Sequence, residues 1–167
     1  MMDLYHQGKL PLRVTHNDTK LNNVLLDAES GEGVCVIDLD TVMPGMAMYD
    51  FGDAVRYLAN TAAEDEADLT KVSFDEARFA HFAEGFLGTV RDTLTADEVR
   101  NMVRGAFSVT VELAARFLDD YLCGDRYFRV EYAEHNLVRA RNQLCLADDI
   151  FAKSARLEEK VNRMTKD

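Results

Sequence analysis

Cysteine is scarce in this sequence, with three residues in 167, and histidine nearly so, with four. Cys35, Cys123 and Cys145 are odd in number and widely spaced, which excludes a self-contained disulfide framework. Each sits in an apolar pattern, so they are expected to be reduced core thiols. His6, His16, His81 and His135 have no metal-ligand spacing, which argues against a zinc enzyme. No apolar run approaches the roughly 18 residues of a membrane span. The N-terminus lacks a basic segment followed by an apolar one, so a cytoplasmic protein with no membrane partner is expected. Positive charge is also short: 19 Lys and Arg stand against 30 Asp and Glu, a net charge of −11. That balance disfavours a nucleic-acid partner, because duplex binding relies on Lys and Arg to neutralise phosphates.

What is present suits one packed domain over residues 1–167, with 47% apolar residues. Residues 1–12 read as the end of a helix stopped by Gly8 and Pro11. Residues 13–53 hold the chemistry, and residues 54–167 are read as a helical subdomain. The class expected is α+β, mostly helical with one small β-hairpin carrying a catalytic loop.

The runs Asn23 to Asp27 and Val34 to Asp38 flank a polar segment with two glycines and read as an antiparallel hairpin. Pairing Asp27 with Val34 places Asn23 opposite Asp38, with Cα atoms roughly 4.5–5.5 Å apart. An amide oxygen and a carboxylate in one small volume suit Mg²⁺, which takes oxygen ligands and is completed by waters and phosphates. Asp18 lies five residues before Asn23, on the irregular segment after Leu12 to Thr15. A carboxylate there accepts the proton of an attacking hydroxyl while a metal neutralises charge on a phosphoryl group. His16 either orients this loop or is a turn histidine. Met43-Pro44-Gly45-Met46 is expected to be a type II turn. Asp50 opens a helix running to about Asn60, where it caps free N–H groups or braces the Asp18 loop.

Ser73 to Glu76 and Thr95 to Glu98 are capping-box patterns. The first precedes a helix with Phe79, Phe82, Ala83, Phe86, Leu87 and Val90 on one face. The second precedes one long helix from Val99 to Tyr121, ended by Gly124, and a last helix spans about Val130 to Met164. Arg116, among apolar neighbours, needs a partner, with Asp119 or Asp120 the simplest. Tyr127, just past the break, reads equally as a loop anchor.

The stretches HNDTKLNNVLLD and VIDLDTVMPGMAMYDFGD resemble the C-terminal lobe of the aminoglycoside phosphotransferase and choline kinase-like superfamily, nearest to its N-acetylhexosamine 1-kinase branch. The resemblance implies a protein-kinase-like fold and transfer of the ATP γ-phosphate to the anomeric hydroxyl of an N-acetylhexosamine or related sugar. It implies Asp18 as the catalytic base, Asn23 and Asp38 on Mg²⁺, and Asp50 bracing the loop. Asp40 is either a further metal contact or a loop hydrogen bond. RFLDDYLCGDRYF resembles the sugar-contacting segment of that branch, which places Arg116 and Tyr127 on the substrate. Such enzymes carry an N-terminal lobe for the nucleotide, whereas only Met1 to Leu12 precede the motif. The lobe is therefore expected to be absent and the chain to be a fragment, truncated product or half of a split enzyme, inactive alone. Its uncovered apolar surface would be met by self-association or by that lobe.

Two other readings compete. Val34 to Val42 resembles the opening motif of haloacid dehalogenase-like phosphatases, with Asp38 as nucleophile and Asp40 as acid/base, a fold needing further parallel strands. The other is a non-catalytic remnant that binds a sugar or a partner.

Overall fold

The computed structural model describes residues 2–165. It is mostly helical, with two separate two-stranded antiparallel sheets, an α+β arrangement. In chain order the elements are α1 (Met2–His6), β1 (Arg13–Thr15), β2 (Val24–Leu26), β3 (Gly33–Val36), β4 (Met43–Gly45) and α2 (Ala47–Ala59). Then come α3 (Glu76–Val90), α4 (Ala96–Arg100), α5 (Met102–Leu122) and α6 (His135–Met164).

Helix α2 is the centre of the packing. Its apolar positions Phe51, Val55 and Ala59 recur at spacing four and are fully buried, the signature of a helix with one core-facing stripe. Phe51 meets Phe79 and Phe86 of α3 in edge-on contacts, with centroids 5.8 and 5.3 Å apart. On its other side α2 crosses α5, and α5 runs along α6. The crossing is close because it is made by glycines. A Cβ on Gly52 would stand 2.7 Å from the Ala106 nitrogen, and one on Gly105 would collide with the Met48 backbone.

The helix starts follow local chemistry, though not always the chemistry expected. Thr95 and Glu98 form a complete capping box. At α3 the cap is Asp75, whose carboxylate accepts from the N–H groups of Ala77 and Arg78. Ser73 instead donates its hydroxyl to Asp149 of α6. The long helix expected after Thr95 is two helices, because the Asn101 side chain takes the Asp97 carbonyl at 2.8 Å and the backbone bends there. Asn competes with the backbone in this way more readily than most residues. The last helix begins at His135, since Glu134 lies in the left-handed region at φ 66°.

The strands depart further. Met43–Gly45 is β4, paired with β1 through Arg13↔Gly45 and Thr15↔Met43, rather than a type II turn. Gly45 is required there because a Cβ would strike the Thr15 hydroxyl. In the hairpin the pairs are Val24↔Val36 and Leu25↔Cys35, followed by a bulge to Leu26↔Gly33. Closure occurs where the Asp27 N–H meets the Glu32 carbonyl at 2.8 Å, a tighter turn than Asp27 against Val34. Register follows turn geometry, so Asn23 stands opposite Ile37 and not Asp38. The hairpin faces outward: Leu25, Leu26, Val34 and Val36 are all about half exposed or more. Cys35 and Cys123 are exposed and Cys145 is partly covered, so none of the three is the core thiol expected. No helix among the described residues is long and apolar enough to cross a membrane.

Candidate functional site

The segment after β1 is held by the first two turns of α2. Asn17 adopts φ 62°, a conformation Asn tolerates better than most residues, and its amide donates to the Thr41 carbonyl at 2.9 Å. Asp50 accepts both the His16 N–H and the Asn17 N–H, each at 2.8 Å. Asp53, one turn on, accepts the Thr19 N–H at 2.7 Å. Asp18 is thereby flanked on both sides by backbone tied to one rigid helix.

Asp53 is in turn held by Arg56, whose Nε and Nη2 both donate to its Oδ1, at 3.0 and 2.7 Å. The Arg56 Nη1 reaches Glu64 at 2.8 Å. Burial works against a charged Arg56, but the two carboxylates outweigh it and keep the guanidinium protonated. Sequence reasoning missed Asp53 and Arg56. The signal was there: two opposite charges three apart, flanked by apolar residues on one helix, must pair with each other and with something else.

Asp18 itself accepts from Lys20 Nζ and from the Asn23 amide, each at 2.9 Å. The Asn23 nitrogen also donates to the Asp18 carbonyl, which leaves the amide oxygen as the group available to a cation. The Asn23 carbonyl accepts the Ile37 N–H at 2.9 Å, and His16 Nε2 lies 3.0 Å from the Ile37 carbonyl. The strand therefore ends beside the loop, and Asp38 follows in the left-handed region at φ 61°, ψ 59°. Asp38 and Asp40 are exposed and neither pairs with a cation among the described residues. No three His, Cys, Asp or Glu side chains cluster as a metal cage among the described residues. One amide oxygen and unpaired carboxylates nonetheless fit a hard ion that retains waters and substrate oxygens, as Mg²⁺ does.

Asp18, Lys20 and Thr41 border a cavity of about 770 Å³ that is walled also by α2, by α5 and the segment after it, including Glu112, Arg116, Tyr127 and Phe128, and by Arg139 of α6. The structure thus brings Asp18, Arg116 and Tyr127 to one cavity, while Asn23, Asp38 and Asp40 do not line it. Arg116 is not bridged to Asp119 or Asp120. Its nearest carboxylate is Glu112 at 3.7 Å, and its guanidinium carbon is 5.4 Å from the ring centroids of both Tyr127 and Phe128.

Asp120 does something else. Its carboxylate collects the N–H groups of Arg126, Tyr127 and Phe128 at 2.8–2.9 Å and the Asn136 amide at 2.9 Å. Burial alone would raise its pKa, but these donors prevail and hold it below the usual carboxylate range. The segment bearing Tyr127 is fixed by that carboxylate.

A family model described as the phosphotransferase enzyme family matches residues 3–88, just over half of the chain. The matched span runs from α1 through the braced loop, the hairpin and α2 into α3. The cavity wall formed by α5 and α6 lies outside it.

Proposed function

We propose that this chain, which belongs to the phosphotransferase enzyme family, is the C-terminal lobe of a kinase-like enzyme that moves the γ-phosphate of Mg²⁺-ATP to a sugar hydroxyl. The observation that carries the reading is Asp18, pinned between the Asp50 and Asp53 braces at the edge of a cavity large enough for a monosaccharide. A hydroxyl seated there meets a carboxylate able to take its proton as the oxygen attacks phosphorus. Asp18 is thus the base. Asn23 orients it through the hydrogen bond to Oδ2, and Lys20 pairs with the same oxygen at 2.9 Å.

Asn23 and Asp38 would hold Mg²⁺, with Asp40 beside them, and a bound Mg²⁺ would neutralise charge on the phosphates during transfer. Asp50 and His16 act indirectly, by fixing the loop. Arg116 and Tyr127 stand across the cavity as sugar contacts. The finer assignment, an N-acetylhexosamine phosphorylated at its anomeric hydroxyl, is supported by the resemblance of the 116–128 segment and by the fact that this segment borders the same cavity as Asp18.

The phosphatase alternative is not favoured. β3 pairs antiparallel with β2, and no parallel pair exists among the described residues, so an aspartyl nucleophile at Asp38 lacks the sheet that positions it. Phosphorus NMR of the chain joined to a nucleotide-binding N-terminal lobe, incubated with Mg²⁺-ATP and N-acetylglucosamine or N-acetylgalactosamine, tests the proposal. A sugar 1-phosphate resonance growing with ADP is expected. Phosphate released from ATP or from sugar phosphates with no phosphorylated acceptor would count against it.

A further inference from the structure

The far wall of the cavity carries more positive charge than the protein answers. In a chain of net charge −11, Arg116, Arg129 and Arg139 all border this one cavity. The carboxylates bordering it are mostly paired with two other cations of its lining, Lys20 and Arg56. Asp18 pairs with Lys20, and Asp53 and Glu64 share Arg56. Glu112 remains, in loose contact with Arg116 at 3.7 Å. Neither Arg129 nor Arg139 has a carboxylate within 4.0 Å among the described residues.

The wall is also built rather than merely crowded. Arg139 lies 5.5 Å over the Phe117 ring and gives Nη1 to the Arg129 carbonyl and the Asn136 side chain. Its Nε is buried with no partner, an unmet donor of the kind that otherwise costs stability. The Arg116 guanidinium carbon lies 5.4 Å from the centroids of two rings that stand nearly perpendicular to each other, and a planar guanidinium suits paired hydrogen bonds to an oxyanion. The Asp120 carboxylate locks the backbone of residues 126–128 that carries the wall.

We infer that this wall binds an oxyanion, a carboxylate or phosphate monoester carried by the acceptor, so that an acidic derivative of the sugar is preferred over its neutral parent. The inference rests on the reading of the cavity as the acceptor site. The anion belongs to the acceptor and not to the nucleotide because Asp38 and Asp40, where the metal and its phosphates are placed, lie outside the cavity. Planar guanidinium edges favour such groups through paired charge-assisted hydrogen bonds.

Calorimetric titration of the full chain without nucleotide tests it, with N-acetylglucosamine, N-acetylglucosamine 6-phosphate, glucuronate and inorganic phosphate as probes. At least one of the two acidic sugars is expected to bind about tenfold or more tightly than the neutral one, an advantage that falls as salt rises. Arg129→Gln, an exposed side chain, and Arg139→Gln should each shrink that advantage several-fold, while Arg104→Gln, on α5 but outside the cavity, should leave it intact. Equal affinity for neutral and acidic sugars overturns the inference. So does an advantage that survives both cavity variants, or competition by Mg²⁺-ATP for inorganic phosphate bound there, which would assign the anion to the donor. Failure of the transfer reading looks different: tight, arginine-dependent binding of an acidic sugar that is never phosphorylated. Turnover of neutral sugars alone would instead keep the transfer and remove this site.

Discussion

Replacing Asp53 with Ala should destabilise the protein well beyond a typical point substitution, because two separate interactions depend on one carboxylate. The Asp53 and Arg56 side chains are 11% and 6% exposed. Breaking a buried ion pair by removing one partner costs about 3–5 kcal/mol. Glu64 remains 2.8 Å from Arg56 and is itself 31% exposed, so the guanidinium is not left alone and the lower end of that range applies. The Thr19 N–H loses its acceptor as well, a loss worth about 1–3 kcal/mol where water cannot replace it. Because the two losses overlap at one site they are not additive, and a total near 3 kcal/mol is expected. With a urea m-value of about 2 kcal/mol/M, the unfolding midpoint should fall by about 1.5 M. Asp53→Asn keeps an oxygen for Thr19 but no charge, and should fall by about half as much. The double substitution Asp53→Leu with Arg56→Met removes the pair together and should recover much of the loss. An unchanged midpoint for Asp53→Ala would refute the idea that this pair anchors the Asp18 loop.

The remaining expectations concern the fold and its surfaces. Gly52→Ala should cost about 1–3 kcal/mol, since the added methyl meets α5 backbone rather than a movable side chain; a thermal melt matching the parent would contradict the close crossing. Asp120 has a depressed pKa when folded, so its stabilisation of the 126–128 segment is complete above the unfolded value of about 3.9 and is lost as pH falls through the lower folded value. Hydrogen-exchange protection of the Tyr127 and Phe128 amides should drop in that window, and Asp120→Asn should abolish the step; protection indifferent to both would sink the assignment. The exposed apolar residues of the hairpin, Leu25, Leu26, Val34 and Val36, should drive self-association. Sedimentation velocity at micromolar concentration should show dimers or larger species that Val34→Lys disperses, and a monodisperse parent monomer would argue otherwise.

How much of this was legible in the sequence depended on the range of the interaction. Thr95 and Glu98 satisfy each other within one turn, and Phe79 to Val90 repeat at helical spacing, so both could be read directly. The five-residue separation of Asp18 and Asn23 likewise survives as a 2.9 Å hydrogen bond. The hairpin register did not survive, because it is set by where the turn closes, at Asp27 and Glu32, and one residue of slack moves every pair. Asp119 or Asp120 was the expected partner of Arg116, whereas Asp120 holds amides six to eight residues ahead that meet it only once the chain has turned back. Ser73 matched a cap pattern, but Asp75, nearer the helix, accepts the N–H groups and leaves Ser73 for α6. The exposure of Cys35 was hidden for a related reason: strand alternation says which residues share a face, not whether anything covers that face.

Everything proposed for catalysis turns on a proton passing from an acceptor hydroxyl to Asp18. Steady-state kinetics of Asp18→Asn, in the chain joined to a nucleotide-binding N-terminal lobe and with Mg²⁺-ATP and whichever sugar gives turnover, addresses that step most directly. The account predicts a fall in kcat of about 10²–10⁴-fold with KM for the sugar changed little, since the cavity and its arginine wall are untouched. A variant that turns over at close to the parental rate would contradict it.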